Sequence, residues 1–424
     1  MISEQQNCYV YIVLPGTTTF VTAGRFQLSR TRDDVPLGQF VYGKKYLSRP
    51  DAVELDPVEL RLDEQQYQTI RMNGFFGVIR DAMPDYWGRK VIDNYGKKHP
   101  AEFDYLLLGA DDRAGALGFG LNVEPPAPLR HFNKTIELGK LQKIASIIMN
   151  NESVAENHSD DALQVKALIL QGTSMGGARP KAVVEDSSNL WLAKFSTPQD
   201  RWNQPVVEHA MLKLAKLCGL NTAKSKITPV AGKDVLLVKR FDREKCKKGY
   251  YRYRMASALT LLKADDDVAS RVNWSYLLLA DELRRISSNP KIDLKELFSR
   301  MCFNALISNL DDHPRNHAIL ANENGWRLSP AYDLTPSPVI TQENRLLAMT
   351  CGIQGRNANR ENLLSAHAHF FLSRDEAENI IDTMAALIKK DWYSCLRRTG
   401  ANEKDCATVA NAFVYEGFYQ VYSQ

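Results

Sequence analysis

The first 60 residues alternate between apolar and polar positions, which is typical of β-strands buried on one face. The segments YVYIVLPG, TFVTAGRFQLSR and PLGQFVYGKKYL carry this pattern, with Gly, Pro and Asp between them as in hairpins. In FFGVIRDAMPDYWGRKVIDNYG the apolar residues recur three and four positions apart, which predicts a helix. The proline-rich residues 122–133 then indicate a boundary or an exposed loop.

The middle of the chain predicts a mixed unit of strands and one amphipathic helix. The helical segment IELGKLQKIASIIMNN is followed, after a polar stretch, by the glycine-rich GTSMGGARPKAVVED and the strand NLWLAKFST. The helix VVEHAMLKLAKLCG then leads into two more strands, the second of which is DVLLVKRFDR. The order is that of a small sheet-forming unit.

From Met255 onward the pattern is mainly helical. The predicted helices are MASALTLLKA, WSYLLLADELRRIS, DLKELFSRMCFNALISN and RDEAENIIDTMAALIKKDWYSCLRR. We therefore divide the chain into three segments: a β-rich N-terminal subdomain over 1–130, a sheet-containing lobe over 131–254 and a helical lobe over 255–424. A sheet lobe joined to a helical lobe suits a ligand held in the cleft between them.

Composition narrows the class of protein. Of the 424 residues 44% are hydrophobic and 25% charged, and the net charge of +4 argues against a nucleic-acid-binding arm. No apolar run reaches the roughly 20 residues that cross a bilayer, and the first residues lack a secretion signal, so we expect a cytoplasmic protein with no membrane contact. The seven cysteines are scattered without a C-x-x-C pair and are expected to be reduced thiols rather than zinc ligands.

The glycine-rich segment spans residues 172–181, GTSMGGARPK. Gly176 and Gly177 allow the backbone to approach a phosphate closely, and Ser174 adds a hydroxyl. The segment is not a Walker A sequence, because no G-K-[ST] follows, and a plain glycine turn is the alternative. Lys194 lies in the apolar WLAKFS, where its ammonium group must reach an anion or water.

A carboxylate that would suit this lysine follows on the next helix. Glu208 lies in the predicted helix VVEHAMLKLAKL and is a candidate partner for Lys194, as a helix-borne Glu is in protein kinases. The alternative is an ordinary first-turn carboxylate that suits the helix dipole.

The strongest chemical signal is SNLDDHPRNHAIL, residues 308–320. Asp311 and Asn316 have the D-x4-N spacing of a kinase catalytic loop, in which the Asp is the base and the Asn a metal ligand. This spacing alone arises about once by chance in a chain of this length. Asp333 follows in WRLSPAYDLTPSP, at the place of the metal-binding Asp of a D-F-G, although no D-F-G is present; the alternative is a turn-capping Asp. Together with the glycine-rich segment and Lys194, this order favours phosphoryl transfer.

These motifs resemble those of the HipA family of serine/threonine kinases. The matching pieces, in family order, are TSMGGARPKA, WLAKF, VVEHAMLKLAKLCGL, VKRFDR, NLDDHPRNHAIL and LSPAYDLTPS, and two N-terminal stretches, GRFQLSRTRDDVPLGQFVYGKKYLSRPDAVEL and FFGVIRDAMPDYWGRKVI, resemble the family as well. The sequence departs from the family at Arg179-Pro180, at Asp312 where Gly is more frequent, and at Met83-Pro84-Asp85-Tyr86, where a Leu-Pro-Glu-Gly type of motif is usual. The resemblance implies an α+β, two-lobed protein-kinase-like fold with a β-rich N-terminal subdomain and an all-helical C-terminal lobe.

The resemblance also implies a nucleotide site. Ser174 matches the serine that such kinases autophosphorylate, which expels the loop and silences the enzyme. Lys194 matches the lysine that contacts the nucleotide phosphates. Lys239 and Phe241 match the hinge whose backbone holds adenine, and Asp242 matches the carboxylate that binds the ribose hydroxyls.

The remaining matches concern the transfer step. Asp311 matches the catalytic base, and Asn316 and Asp333 match the Mg²⁺ ligands. The implied function is a bacterial toxin of a toxin–antitoxin pair that uses ATP and Mg²⁺ to phosphorylate a serine or threonine of a host protein and so arrests growth, with an aminoacyl-tRNA synthetase as the leading substrate. The implied partner is a HipB-like helix-turn-helix antitoxin. This chain would then reach DNA only indirectly, through the antitoxin.

Two other functions stay open from the sequence. One is a small-molecule kinase resembling aminoglycoside phosphotransferases, which share the D-x4-N and the later Asp. The other is a catalytically idle binding protein that has kept the fold, against which the intact Lys194, Asp311, Asn316 and Asp333 argue.

A basic run, KRFDREKCKKGYYRYR, covers residues 239–254. One interpretation is a solvated hairpin after the hinge. The other is a surface for tRNA, DNA or an acidic protein, on which the tyrosines would stack on bases.

Overall fold

In the computed structural model, the described residues are 6–95, 100–128, 132–150, 177, 179–267, 269–322, 325–338 and 344–420. The strands are β1 Gln6–Val13, β2 Phe20–Arg30, β3 Pro36–Tyr42, β4 Tyr67–Thr69, β5 Leu117–Gly120, β6 Asn133–Lys134, β7 Lys181–Glu185, β8 Leu190–Lys194, β9 Ser225–Val230, β10 Lys233–Lys239, β11 Arg243–Cys246, β12 Gly249–Arg252, β13 Arg254–Ser257, β14 Ala318–Asn322 and β15 Gly325–Leu328.

The α-helices are α1 Lys44–Leu47, α2 Gly77–Asp81, α3 Tyr86–Tyr95, α4 Glu102–Leu108, α5 Leu138–Met149, α6 Gln204–Leu217, α7 Ala258–Leu261, α8 Tyr276–Ile286, α9 Pro290–Leu306, α10 Arg360–Ser365, α11 Arg374–Thr399 and α12 Glu403–Val409. Short 3-10 turns cover Arg71–Gly74, Thr135–Glu137, Ala269–Asn273, Pro314–Asn316, His367–Phe370, Ala410–Ala412 and Glu416–Tyr419. Among the described residues, no helix is both long enough and apolar enough to span a membrane.

The chain folds into two compact units, each built from segments that are distant in sequence. The first unit holds residues 1–197, 239–260 and 320–324, and the second holds 198–238, 261–319 and 325–424. The bounds of the two units differ from those of the three predicted segments, so the division at 130 and 254 stays a proposal.

The first unit is built on an antiparallel sheet in the order β4-β3-β2-β1-β5. Its buried face carries a large apolar core, in which Phe26 packs on Phe75 and Phe103. Later in the chain β7 pairs antiparallel with β8, and β6 lies parallel to β7. The hairpin of β11 and β12 places Tyr250 against Phe132 in a small cluster of its own. Lys181, the last residue of the glycine-rich segment, begins β7, and Lys194 ends β8.

The second unit is mainly helical. Helix α6 packs on α11, and α9 packs on both α8 and α11. Strands β9 and β10 form an antiparallel hairpin. The segment after α9 carries Asp311 and Asn316, so the helical packing of this unit positions the predicted catalytic loop.

Two predicted helices differ in detail. The segment FFGVIRDAMPDYWGRKVIDNYG is broken into α2 and α3, because Pro84 lies between them and the Asp85 carboxylate accepts the N–H of Gly88 (3.1 Å) to start the second helix. The predicted helix at Met255 was wrong for its first residues, which form β13. The helix starts only at Ala258, because the Ser257 hydroxyl accepts the N–H of Thr260 (3.3 Å) as an N-terminal cap, while Asp81 accepts the backbone N–H of Ser257 (2.7 Å).

Candidate active site

The predicted catalytic loop begins at a strained residue directly after α9. Ser308 has φ 53°, in the left-handed region, and its hydroxyl donates to the carbonyl of Ala412 (2.6 Å). The guanidinium of Arg345 donates to the same hydroxyl and to the carbonyl of Asn411 (2.7 Å). The C-terminal segment and Arg345 thereby fix the backbone from which Asp311 projects.

Within the loop, the orientation of the Asn316 side chain is set by Asp311. Nδ2 of Asn316 donates to the backbone carbonyl of Asp311 (3.3 Å), and Asn316 itself is buried. Because the amide nitrogen faces the loop backbone, Oδ1 is the end of the amide that is available to a cation. The two residues of the D-x4-N motif therefore lie in direct contact.

Asp333 lies close to this pair. Tyr332 donates its hydroxyl to the carbonyl of Arg315 (2.7 Å), which ties the residue before Asp333 to the residue before Asn316. Asp333 has φ 60°, a backbone conformation that non-glycine residues adopt rarely and that recurs at functional sites. The structure thus brings Asp311, Asn316 and Asp333 together within the second unit.

The surroundings of Asp311 raise its pKa above the ordinary value. Partial burial is the main cause, and the negative charges of Asp333 and Asp312 add to it, while His313 and Arg271 act in the opposite direction. Asp311 is nevertheless accessible to solvent. The role of Asp311 as a catalytic base stays a prediction.

Behind the loop lies a buried polar network that the sequence did not predict. The Asp312 carboxylate accepts hydrogen bonds from the Tyr276 hydroxyl and from Nε2 of His317 (2.8 Å). Nδ2 of Asn304 donates to the Tyr276 oxygen (3.1 Å), and Nδ2 of Asn309 donates to Oδ1 of Asn304 (3.1 Å). All five residues are buried. Asp312 therefore anchors the loop to α8 and α9.

A buried aspartate needs hydrogen-bond donors, but nothing in the sequence indicated that Asp312 is buried. Tyr276 and Asn304 lie on two helices that the sequence predicted, and their contact with Asp312 depends on how these helices pack.

In the first unit, the structure describes only part of the predicted phosphate segment. Ser174 and Gly176 lie outside the described residues. Gly177 has φ 115°, a conformation that favours glycine. Lys194 is the last residue of β8 and is buried, with 9% of its surface exposed.

The predicted hinge residues are also in the first unit. Lys239 and Phe241 are both half-buried, and they flank Arg240, which is buried and whose backbone N–H donates to the carbonyl of Leu190 (2.9 Å). The hinge thus runs beside β8, the strand that carries Lys194. Adenine binding at these two residues stays a prediction.

The carboxylate of Asp242 faces the interior of the first unit. It accepts hydrogen bonds from Arg240 (3.0 and 2.7 Å), from Arg243 (2.8 Å) and from the backbone N–H of Gly115 (2.9 Å). Burial alone would raise the pKa of Asp242, but the two guanidinium groups hold it well below its usual range. Ribose binding by Asp242 stays a prediction, and it would require the hydroxyls to share a carboxylate that already serves a buried ion-pair cluster.

The basic run 239–254 is largely engaged in ion pairs. Besides the two arginines on Asp242, the pairs are Arg252 with Asp111, Arg254 with Glu54 and Lys245 with Glu185. Arginines buried in such pairs are not available to phosphates of a nucleic acid. The contacts argue against the nucleic-acid surface, and they show that the arginines of this run are buried in ion pairs rather than solvated.

Glu208 is buried on α6 in the second unit, whereas Lys194 belongs to the first. Their predicted ion pair stays a prediction.

The family model of the HipA-like C-terminal domain matches residues 173–392, just over half of the chain. The chain therefore belongs to the HipA family. The match begins within the glycine-rich segment and covers Lys194, Asp242 and all three residues gathered around the predicted catalytic loop.

Two curated relatives are similar over shorter stretches. Y4mE, a candidate kinase of Sinorhizobium fredii, is 27% identical over 148 residues, which are 34% of this chain and 35% of that protein. A candidate kinase of Haemophilus influenzae is 25% identical over 198 residues, which are 42% of this chain and 57% of the relative. The chain therefore spans 35% and 57% of the lengths of these two relatives.

Among solved structures, a chain of the Shewanella oneidensis MR-1 toxin–antitoxin complex of HipA, HipB and operator DNA is similar in fold. The TM-score is 0.66 at 16% identity, over 95% of this chain and 94% of that chain. The expected fold class, an α+β protein-kinase-like fold of HipA type, is confirmed. The C-terminal lobe carries the strands β14 and β15 in addition to its helices.

Proposed function

We propose that this protein is an ATP- and Mg²⁺-dependent serine/threonine protein kinase that acts as the toxin of a toxin–antitoxin pair. The observation that carries the proposal is the grouping of Asp311, Asn316 and Asp333 around one loop, in a chain of the HipA family. Phosphoryl transfer needs positioning and charge neutralisation more than covalent chemistry, and these residue types supply both.

In this proposal Asp311 accepts the proton of the attacking hydroxyl. Its exposure lets an acceptor side chain approach, and its raised pKa makes the carboxylate a better proton acceptor than an ordinary surface aspartate. Ser308, Arg345 and the network around Asp312 hold the loop, so the carboxylate needs little rearrangement before the reaction.

The residues present fit a magnesium ion. Asn316 directs Oδ1 away from the loop backbone, and Asp333 adds a carboxylate whose charge acts on Asp311, so a cation would relieve a local excess of negative charge. When bound with ATP, Mg²⁺ neutralises phosphate charge. Lys194, at the end of β8, is the proposed contact of the chain with the phosphates.

The partner and substrate belong to the same proposal. The similar solved structure is of a complex that contains HipB and operator DNA, which supports a HipB-like antitoxin as partner here and an indirect link to DNA. We further propose a cytoplasmic location, autophosphorylation at Ser174, and a host protein as substrate, with an aminoacyl-tRNA synthetase as the first to test.

The experiment is phosphoproteomics after brief expression of the wild type and of Asp311→Ala. We expect growth arrest and new phosphoserine or phosphothreonine sites with the wild type and neither with the variant. Asp281→Ala, which removes an exposed carboxylate on α8, is the control and should behave as the wild type. Arrest with no new phosphosite, or the same sites with Asp311→Ala, would reject the proposal.

A further inference from the structure

Two lysines lie directly opposite each other at the start of β7 and the end of β8. Lys181 and Lys194 are Cα partners in this antiparallel ladder, so their side chains leave the same face of the sheet. Both are buried, with 2% and 9% of their surfaces exposed. Two buried ammonium groups side by side are costly unless each has an anion or strong acceptors.

Lys181 has both an anion and a strong acceptor beside its ammonium group. Its Nζ lies 3.4 Å from Oδ2 of Asp85 and donates a 2.6 Å hydrogen bond to the carbonyl oxygen of Gly177. Asp85 is held in place by the helix that follows it, because its Oδ1 accepts the N–H of Gly88. The indole N–H of Trp87 donates to the backbone carbonyl of Lys181 (2.9 Å). Residues 84–88 therefore contact both the backbone and the side chain of Lys181.

Gly177 fits this arrangement only as a glycine. Its φ of 115° is strained for other residues, and a Cβ at this position would lie 2.7 Å from Nζ of Lys181. The ammonium group of Lys181 can approach the backbone this closely because Gly177 has no side chain. This contact fixes the position of the Gly177 carbonyl relative to Lys181.

We propose that Lys181 is a positioning residue for the phosphate site, and that Asp85 orients its ammonium group. Lys181 would pin the carbonyl of Gly177 beside the sheet face from which Lys194 projects. Asp85 would balance the positive charge of Lys181 beside Lys194, the proposed contact with the nucleotide phosphates. This inference rests on the proposed function for its ligand, ATP. The contact between Lys181 and Gly177 is present in the protein without nucleotide.

The test uses Lys181→Met, which keeps the length of the stem, and the isosteric Asp85→Asn. Each should raise the Kd for ATP·Mg²⁺ about 10-fold, because a hydrogen bond to a charged group is lost. The rate at saturating ATP should stay within about 2-fold, since neither residue touches the reacting atoms. The double variant should bind ATP·Mg²⁺ no more weakly than the weaker-binding of the two single variants, because both changes break the same contact. Asp85→Glu, which keeps the carboxylate, should recover part of the affinity.

A second readout needs no nucleotide. Hydrogen–deuterium exchange over residues 177–181 should be faster in Lys181→Met and Asp85→Asn than in the wild type. Glu102→Gln, which breaks the ion pair between Arg89 of α3 and Glu102 of α4, is the matched control and should change neither exchange in this segment nor ATP affinity.

The outcomes separate the two proposals. Unchanged hydrogen–deuterium exchange in both variants, or an equal increase with Glu102→Gln, would show that Lys181 does not hold Gly177 in place. If the wild type binds no ATP, the proposed function fails, and the exchange measurement still decides whether Lys181 holds Gly177. Faster exchange with unchanged ATP affinity would overturn the positioning role.

Discussion

Asp311 and Asp312 are neighbours in sequence, yet the structure gives their carboxylates different surroundings. Asp311 reaches solvent, whereas Asp312 is buried between Tyr276 and His317. The D-x4-N spacing identified the first residue. It contained nothing about the second, whose partners come from a helix about 35 residues earlier and from the far end of the loop.

Replacing Tyr276 by Phe should destabilise the protein by about 2 kcal/mol, because the buried Nδ2 of Asn304 and the Asp312 carboxylate each lose a partner. Urea denaturation measures the change. Tyr67→Phe, which removes an exposed hydroxyl bonded to the carbonyl of Arg61, is the control and should cost less than about 1 kcal/mol. Equal losses for the two variants would show that the network contributes nothing beyond one ordinary hydrogen bond.

The carboxylate of Asp56, in the first unit, is also buried. Its Oδ1 accepts the backbone N–H groups of Val58 (2.8 Å) and Glu59 (2.6 Å), while Oδ2 is buried with no hydrogen-bond partner in the described part of the chain. Burial raises the pKa of Asp56 from 3.8 to about 6, against the opposing effect of these backbone N–H groups.

The sign of the resulting pH dependence follows from linkage. Between pH 4 and 6 the unfolded chain ionises Asp56 while the folded protein keeps it protonated, so this residue lowers stability as the pH rises. The free energy of unfolding of the wild type, relative to Asp56→Asn, should fall by about 2 to 3 kcal/mol from pH 4 to pH 7. Urea denaturation at the two pH values measures the difference, and a difference that does not change with pH would contradict the prediction.

Helices and strands with strong periodicity were predicted well. The last long helix was expected over RDEAENIIDTMAALIKKDWYSCLRR and is α11, Arg374–Thr399, and the first three strands also lie where the alternation placed them. The misassigned start at Met255 has a tertiary cause, since the carboxylate of Asp81 accepts both the N–H and the hydroxyl of Ser257 and orients this residue as the cap of the helix. A pattern along the chain contains no information on a partner 176 residues away.

The start of α11 offers a test of local stabilisation. Ser373 accepts the N–H of Glu376 (3.2 Å), and the Glu376 carboxylate accepts the N–H of Ser373 (2.8 Å), which together form a capping box. Ser373→Ala should lower the free energy of unfolding by about 1 kcal/mol. Ser394→Ala, in the interior of the same helix, should be neutral or slightly stabilising, because Ala has the higher helix propensity. A loss with Ser394→Ala as large as that with Ser373→Ala would argue against the cap.

For the molecule as a whole, the sequence predicted that Asp311, Asn316 and Asp333 lie close together, and the structure brings them together around one loop. Asp333 was assigned from its order after the D-x4-N motif, and the Tyr332–Arg315 hydrogen bond places it there. The pair of Asp85 and Lys181 was not predicted, because the two residues are 96 positions apart and neither stands out by periodicity or spacing. Their contact becomes visible only when β7 and the start of α3 are packed together.

The role of Asp333 can be tested on the whole protein with Asp333→Asn, since Asn tolerates the positive φ and lacks the charge. ATP with Mg²⁺ at 100 times Kd should stabilise the wild type by about 2.7 kcal/mol, and a tenfold weaker complex would leave about 1.4 kcal/mol. Thermal denaturation with ATP, with and without Mg²⁺, measures the shift. We expect the variant to lose most of the Mg²⁺-dependent part, and an unchanged shift would remove Asp333 from the metal site.

The most direct measurement of the central proposal is transfer of labelled phosphate from ATP to protein by the purified chain, in the presence of Mg²⁺ and a cell lysate as acceptor. The wild type should label at least one protein on serine or threonine. Asp311→Ala should bind ATP with similar affinity and transfer no phosphate, because its carboxylate is proposed to act on the acceptor hydroxyl and not on the nucleotide. Labelling by Asp311→Ala at the wild-type rate, or ATP binding by the wild type without any transfer, would contradict the account.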